Sequence, residues 1–371
     1  MRTTRGRIRA RGARGETMAT IRDVARASQV SIATVSRVFN QSTLVRHDTR
    51  RRVLAAASRL GYWPNGIARS LITNRTHALG VLLPDLFGEF FSEVVHGMDL
   101  AGRERGFHLL ISRSSSSADD LTEAVRTMRG RVDGLIVMAP DFDPDPAMGH
   151  GAGDVPTVFM NPQVTPPGCD SVAIANAQGA ALAVTHLIGL GHRSIAFISG
   201  PERNIDARQR RDGWRAALRE AGIEATPGLE VRGDFAERSG YEAAAELLRG
   251  ARRPTALFAA NDYMAVGALG ALHDAGVRVP EDIAVAGFDD IALARYLNPP
   301  LTTVRVDMQG LGRRAVEILF ERDDRPPGAV ARHEILPTTL VVRSSSGPGP
   351  NDANGHRGPR NGDPSPPSTR R

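Results

Sequence analysis

Between residues 77 and 343 the chain alternates short apolar runs with amphipathic segments, and this alternation constrains the fold more than any other feature. The runs read ALGVLLP, FHLLIS, VDGLIVMAP, VPTVFMN, SIAFISG, PTALFAA and IAVAGFD. Helical patterns such as FFSEVVHGMDLAGRERG, AQGAALAVTHLIGLG and YMAVGALGALHDAG lie between most of them. Strands that are apolar throughout and separated by crossover helices belong in parallel sheets covered on both faces. Roughly 270 residues of this pattern are more than one such unit needs, so two α/β units are expected.

Charge divides the chain differently. All 47 basic residues are arginine, a bias that by itself says little about partners. Their placement says more. Residues 1–17 carry a net charge of +5, residues 18–76 +8 and residues 344–371 +2, which leaves −9 on residues 77–343. A basic head on an acidic body points to a polyanion-binding module joined to a second function. The one cysteine, Cys169, allows no intrachain disulfide and fits a reducing compartment. No apolar run reaches spanning length, and no apolar segment follows the basic N-terminus. A cytoplasmic location is therefore expected, with no membrane partner.

Residues 1–17 lack periodicity and read as a disordered basic extension or as a start-site artefact, since Met18 opens a well-formed domain. Residues 18–63 read as three short helices. Thr20 and Asp23 form a cap-like pair ahead of IRDVARAS, with Ile21, Val24 and Ala25 on one face. Ser31 caps the second helix, IATVSRVF, by accepting from the backbone near Thr34. The third begins near Asp48 and stops at Gly61, with Val53, Leu54, Ala57 and Leu60 as its buried stripe. Pro64 and Asn65 then open one further short helix, NGIARSL, and a linker to residue 76. Residues 344–371 are rich in Pro, Gly, Ser and Asn and are expected to be disordered.

The stretch TIRDVARASQVSIATVSRVFNQSTLVRHDTRRRVLAAASRLGYWPNGIARSL resembles the DNA-binding headpiece of the lactose-repressor (LacI/GalR) family. The resemblance continues through VDGLIVM, GHRSIAFISGP, NDYMAVGAL, VPEDIAVAGFDD and PPLTTV, and so covers residues 18–343. It implies an all-α helix-turn-helix headpiece and a periplasmic-binding-protein-like α/β body of two doubly wound lobes. The expected boundaries are 18–63 for the headpiece and 64–76 for a hinge helix and linker. Residues 77–175 with 306–335 make one lobe, and 176–305 with 336–343 the other.

In a helix-turn-helix the second helix enters the major groove by its N-terminal residues. The resemblance makes Ile32, Ala33 and Arg37 the base-reading positions. Arg37 can bind a guanine edge bidentately, while Ile32 and Ala33 suit thymine methyl groups. Ser31, Thr34, Ser36 and Thr49 are placed for phosphate contacts, which set register. The alternative for Ile32 is packing within the headpiece. Asn65 and Arg69 of the hinge helix would contact phosphate or groove edges. Leu71 matches the family's leucine wedge in the minor groove.

Carried over to the body, the resemblance places a small-molecule effector between the lobes. Its contacts would be Phe90, Phe91, Asn161, Asn204, Asp206, Arg210, Phe235, Asn261 and Asp289. These types suit a polar, uncharged ligand such as a sugar or sugar derivative. Asn261 and Asp262 could equally cap the helix after them, and Phe235 could be a core anchor. Many sugar-binding relatives carry Asp at the Asn161 position, so a strict sugar site is in question. DFDPDPAMGHGAGD is irregular where relatives carry a helix. No catalytic motif or metal-ligand spacing is present, no cofactor or metal is expected, and His192 reads as structural. The tail lacks heptad leucines, which favours a homodimer over a tetramer. The reading is a repressor of operator DNA; the rival is a solute-binding receptor without a DNA role.

Overall fold

The computed structural model describes residues 19–39, 44–63, 75–85, 88–113, 118–141, 155–322, 325–326 and 329–347. The hinge residues Asn65, Arg69 and Leu71, the extension at 1–17, the serines 114–117 and most of the irregular stretch at 142–154 lie outside them. The chain divides into two compact units, residues 1–76 and 77–371.

Among its described residues the first unit holds three helices, α1 (Ile21–Ser28), α2 (Ile32–Phe39) and α3 (His47–Arg59). Thr20 and Asp23 form a reciprocal capping box on α1. The Thr34 amide donates to Ser31 Oγ at 3.1 Å at the start of α2. Val24, Ala25, Val35, Val38, Val53, Ala56 and Ala57 make the core, edged by Ile21, Val30, Phe39, Val45 and Tyr62. The stripe expected on α3 is corrected in two places: Leu54 and Leu60 are 46% and 37% exposed, and Ala56 is buried instead. A core this small leaves room for methyl groups at the α1–α3 contact, so the alanines face inward and the larger leucines do not.

The second unit contains two six-stranded sheets. The first is built from β1 (Ala78–Leu83), β2 (His108–Arg113), β3 (Gly134–Met138), β4 (Thr157–Met160), β5 (Asp170–Ile174) and β11 (His333–Leu336), in the order β11-β5-β4-β3-β1-β2, all parallel. The second is built from β6 (Ile195–Ser199), β7 (Glu230–Arg232), β8 (Ala256–Ala259), β9 (Ala284–Asp289), β10 (Thr302–Arg305) and β12 (Thr339–Val341). Its order is β12-β10-β9-β8-β6-β7, with only β12 antiparallel. Helices α4 (Glu89–Glu104), α5 (Ala118–Met128) and α10 (Met308–Glu321) accompany the first sheet. Helices α6 (Asn176–Gly189), α7 (Ile205–Glu220), α8 (Glu237–Arg249) and α9 (Asp262–Asp274) accompany the second. β3 and β9 are buried along their whole length, as strands covered on both faces must be.

The chain therefore passes between the sheets three times: after β5, between β10 and α10, and between β11 and β12. Leu336, placed in the second lobe by sequence, is the last residue of β11 and pairs with Ile174. The expected tail also begins later than residue 344. Ser344–Ser346 form a turn of 3₁₀ helix, and Ser345 and Ser346 are buried. Ser345 Oγ donates to Val285 O at 2.6 Å, and Ser346 Oγ lies 2.9 Å from His186 Nε2. Hydrogen bonding rather than apolar surface holds this turn, so hydrophobic patterning could not reveal it.

Helix pairs close through glycine. On α9, a Cβ at Gly267 would overlap the Glu237 carbonyl oxygen, and a Cβ at Gly240 on α8 would overlap Met264 O. Gly189, at the end of α6, faces open space. Gly267→Ala is expected to cost about 1–3 kcal/mol in thermal unfolding, because two backbones must separate. Gly189→Ala in the same assay is expected to be neutral or to stabilise by about 0.5–1 kcal/mol.

Candidate functional site

The ends of the strands and the first turns of the helices converge on one cleft. A cavity of about 570 Å³ opens there, walled by Phe90, Phe91, Asn204, Asp206, Arg210, Phe235, Asn261 and Asp289 together with Asp141 and Tyr263. Open parallel sheets present ligand sites at this edge because the loops and helix N-termini gather there. Three residues named from sequence, Asn161, Phe235 and Asp289, have left-handed backbone, with φ of 44°, 73° and 113°. Non-glycine residues held in that region cluster where a fold aims side chains at a site.

Each polar wall residue has a local reason for its position. Asn204 caps α7 by accepting from Ala207 N at 3.1 Å, and its amide donates to Asp141 Oδ1 at 3.0 Å. Asn261 caps α9 by accepting from Met264 N at 2.9 Å and donates to Phe235 O at 3.0 Å. Capping and lining are thus the same role for these two asparagines. Asp262 is turned away from the cavity: it accepts from Thr303 Oγ1 at 2.6 Å and from Ile291 N at 3.0 Å. Asn161 is not on the wall. It stands behind Asp206, donating to its Oδ2 at 3.3 Å and accepting from Ile174 N at 3.2 Å. Expected from sequence to touch the ligand directly, it is 2% exposed and off the cavity lining, and is placed to support the Asp206 carboxylate instead.

Arg210 is the centre of the floor. Its Nε donates to Asn176 Oδ1 at 2.8 Å and its Nη1 to Ala260 O at 2.6 Å, while Nη1 lies 3.2 Å from Asp289 Oδ1. Its guanidinium carbon sits 3.8 Å from the Phe288 ring centroid, a cation–π contact. Asn176 in turn donates to Asp206 Oδ1 at 2.8 Å. Burial pushes Asp289 up to about 6; Arg210 pulls it back and Asp206 raises it. Burial likewise raises Asp206, opposed by Arg210, and holds Asp262 well above the ordinary carboxylate range. The floor is a set of dehydrated carboxylates answered by one guanidinium.

In the first unit, α2 presents a different surface. Val35 and Val38 face the core, whereas Ile32, Ala33 and Arg37 are exposed and Ser36 is half-buried. Ile32 is 45% exposed, against the packing alternative. Ser31 is exposed, while Thr34, and Thr49 in the first turn of α3, are half-buried. An exposed leading end on a short helix held by two valines is the geometry of a groove-entering helix.

Residues 20–65 match a model for bacterial regulatory proteins of the lacI family, and residues 184–346 match a periplasmic binding protein-like domain. The ribose operon repressor of Escherichia coli K12 is 38% identical over 331 residues, covering 89% of this chain and all of the relative. The transcriptional repressor PurR of Photobacterium profundum is 39% identical over 307 residues, 82% of this chain and 92% of its own length. The chain belongs to the LacI family. Among solved structures, a Lac repressor dimer bound to operator and the anti-inducer ONPF superposes with a TM-score of 0.81 at 33% identity, covering 89% of this chain and 99% of that one. A CelR–cellobiose complex gives 0.66 at 34% identity, over 88% and 99%. The family's two-part design is the one described above, a helix-turn-helix unit and a two-sheet α/β body.

Sequence reasoning missed Tyr263, Asp141 and Asn176. Tyr263 directly follows the Asn-Asp pair that opens α9, so its place was readable once that helix was set at the cleft. Asn176 opens α6 beside a crossover, with no motif to mark it.

Asp289 titrates higher in the folded protein than in the unfolded chain, so between those two values the folded state binds the extra proton and gains stability as pH falls. Relative to Asp289→Asn, the wild-type protein is expected to gain on the order of 2 kcal/mol as pH drops from about 7.5 to about 4.5. Parallel melts of the two chains across that range check it; a constant difference contradicts the raised value.

Proposed function

We propose that the protein is a homodimeric repressor of transcription that binds a pseudo-palindromic operator and is controlled by a small molecule in the cleft between its lobes. The observation that carries this is the exposed leading end of α2, with Ile32, Ala33 and Arg37 outward, in a chain of the LacI family. Two such units related by a two-fold axis read two half-sites. Arg37 takes a guanine edge, and Ile32 and Ala33 pack on thymine methyls. Ser31, Thr34, Ser36 and Thr49 contact phosphate. Asn65, Arg69 and the Leu71 wedge, assigned through the resemblance, lie outside the described residues.

The effector is a sugar or sugar derivative held by Phe90, Phe91, Asn204, Asp206, Arg210, Phe235, Asn261 and Asp289, with Asn161 as support. Solved relatives include a cellobiose complex, and another relative is a ribose operon repressor, which supports this class. Control requires that the effector bind two states of the body with different affinity. The Lac repressor dimer among the structural relatives supports two copies. Among the described residues no helix is long and apolar enough to cross a membrane, and the site of action is the cytoplasm, on DNA. A solute receptor without a DNA role would leave the exposed end of α2 without a purpose.

Arg37→Ala is expected to lose ~1–3 kcal/mol of discrimination at one base pair in each half-site. Selection of bound sequences from a randomised pool reads this directly. An unchanged base preference would remove Arg37 from the reading positions.

A further inference from the structure

The cleft holds more negative charge than its own cations answer. Asp206 and Asp289 line it while being 8% and 5% exposed. Among the described residues Arg210 is the one basic residue on the wall, and its donors are already spread over Asn176, Ala260 O and Asp289. The neighbouring Asp290 is answered separately, by Arg305 and Arg343 at 2.6 Å each. Among the described residues, Asp206 receives hydrogens from the Asn176 and Asn161 amides. Asp289 Oδ1 has no directed hydrogen bond among the described residues, although Arg210 is 3.2 Å away. The other charged residues on the wall, Asp85, Asp141, Asp234 and Glu237, are all acidic.

A neutral ligand closing over this floor would answer the two carboxylates with hydroxyl hydrogen bonds alone, weaker than the charge-assisted bonds an ammonium supplies. An anionic ligand would meet repulsion from the whole wall. A cation reverses both terms. Phe90, Phe91, Phe235 and Tyr263 add aromatic faces, which attract cations through their ring quadrupoles.

We propose that the effector is a hydroxylated molecule bearing a protonated amine, an amino sugar or a compound of that chemistry, with its ammonium against the Asp206 and Asp289 carboxylates. The hydroxyls meet Asn204 and Asn261, and the ring lies on the aromatic faces. This rests on the reading of the cleft as the effector site.

Isothermal titration of the full-length protein with glucose, galactose and ribose skeletons, each in neutral, amino and carboxylate or phosphate form, tests the assignment. At least one amino form is expected to bind ~10-fold or more tightly than its neutral parent, the scale of a charge-assisted hydrogen bond. The anionic forms are expected to bind more weakly than either. In Asp206→Asn the amino-over-neutral preference should fall about tenfold, and in the exposed Glu237→Gln by a smaller factor. The proposal is overturned if no amino form binds, or if a neutral parent binds as tightly as its amine. It is equally overturned if a neutral parent binds with uptake of a proton, read from the dependence of heat on buffer ionisation. Operator binding in the same samples, followed by fluorescence anisotropy, separates the two readings. Intact operator binding with no preference for the amine refutes this assignment alone, whereas absent operator binding refutes the repressor.

Discussion

One buried guanidinium organises the cleft. Arg210 is 4% exposed, stacks on Phe288 and reaches a carbonyl, an amide oxygen and a carboxylate from three different segments of chain. Removing one partner of such a pair leaves an uncompensated buried charge, a far larger loss than the pair's net contribution. Burial raises both Asp206 and Asp289, and Arg210 is what opposes that rise.

The network also joins the two lobes. From Arg210 on α7 it runs through Asn176 to Asp206, then to Asn161 at the end of β4, and then to the Ile174 amide at the end of β5. The lips of the cleft are bridged as well. Arg208 donates to Gln163 Oε1 at 2.9 Å, the Glu89 amide to Tyr263 Oη at 2.9 Å, and the Ala292 amide to Glu89 Oε1 at 2.5 Å. A ligand seated on Asp206 therefore touches a group whose partner, Asn161, lies on the other lobe. Differential affinity for two lobe arrangements, the requirement for control, has a structural carrier here.

How much of this could be read beforehand depends on which force fixes each element. Strands buried on both faces, such as β3 and β9, announce themselves as apolar runs, and the caps of α1 and α2 are written in Thr20, Asp23 and Ser31. The short strands β5, β7, β10, β11 and β12 carry Asp, Glu, Arg, Thr or His and owe their place to sheet pairing instead of hydrophobic pattern. In the site, Phe90, Phe91, Asn204, Asp206, Arg210, Phe235, Asn261 and Asp289 were legible through family motifs, whereas the acidic rim of Asp85, Asp141, Asp234 and Glu237 was not. The exchange of roles between Asn161 and Tyr263 was not, because it turns on side-chain direction: one amide has both ends occupied behind Asp206, and one phenol reaches across the cleft. The pairing of Arg210 with Asp289 spans 79 positions and leaves no periodic trace.

The most direct measurement is a double-mutant cycle on unfolding free energy with Arg210→Met and Asp289→Asn. If one guanidinium holds the floor together, Arg210→Met alone costs about 3–5 kcal/mol, and adding Asp289→Asn recovers roughly 2 kcal/mol by discharging the stranded carboxylate. Effects that add to within about 0.5 kcal/mol would contradict the account, since independent residues behave that way.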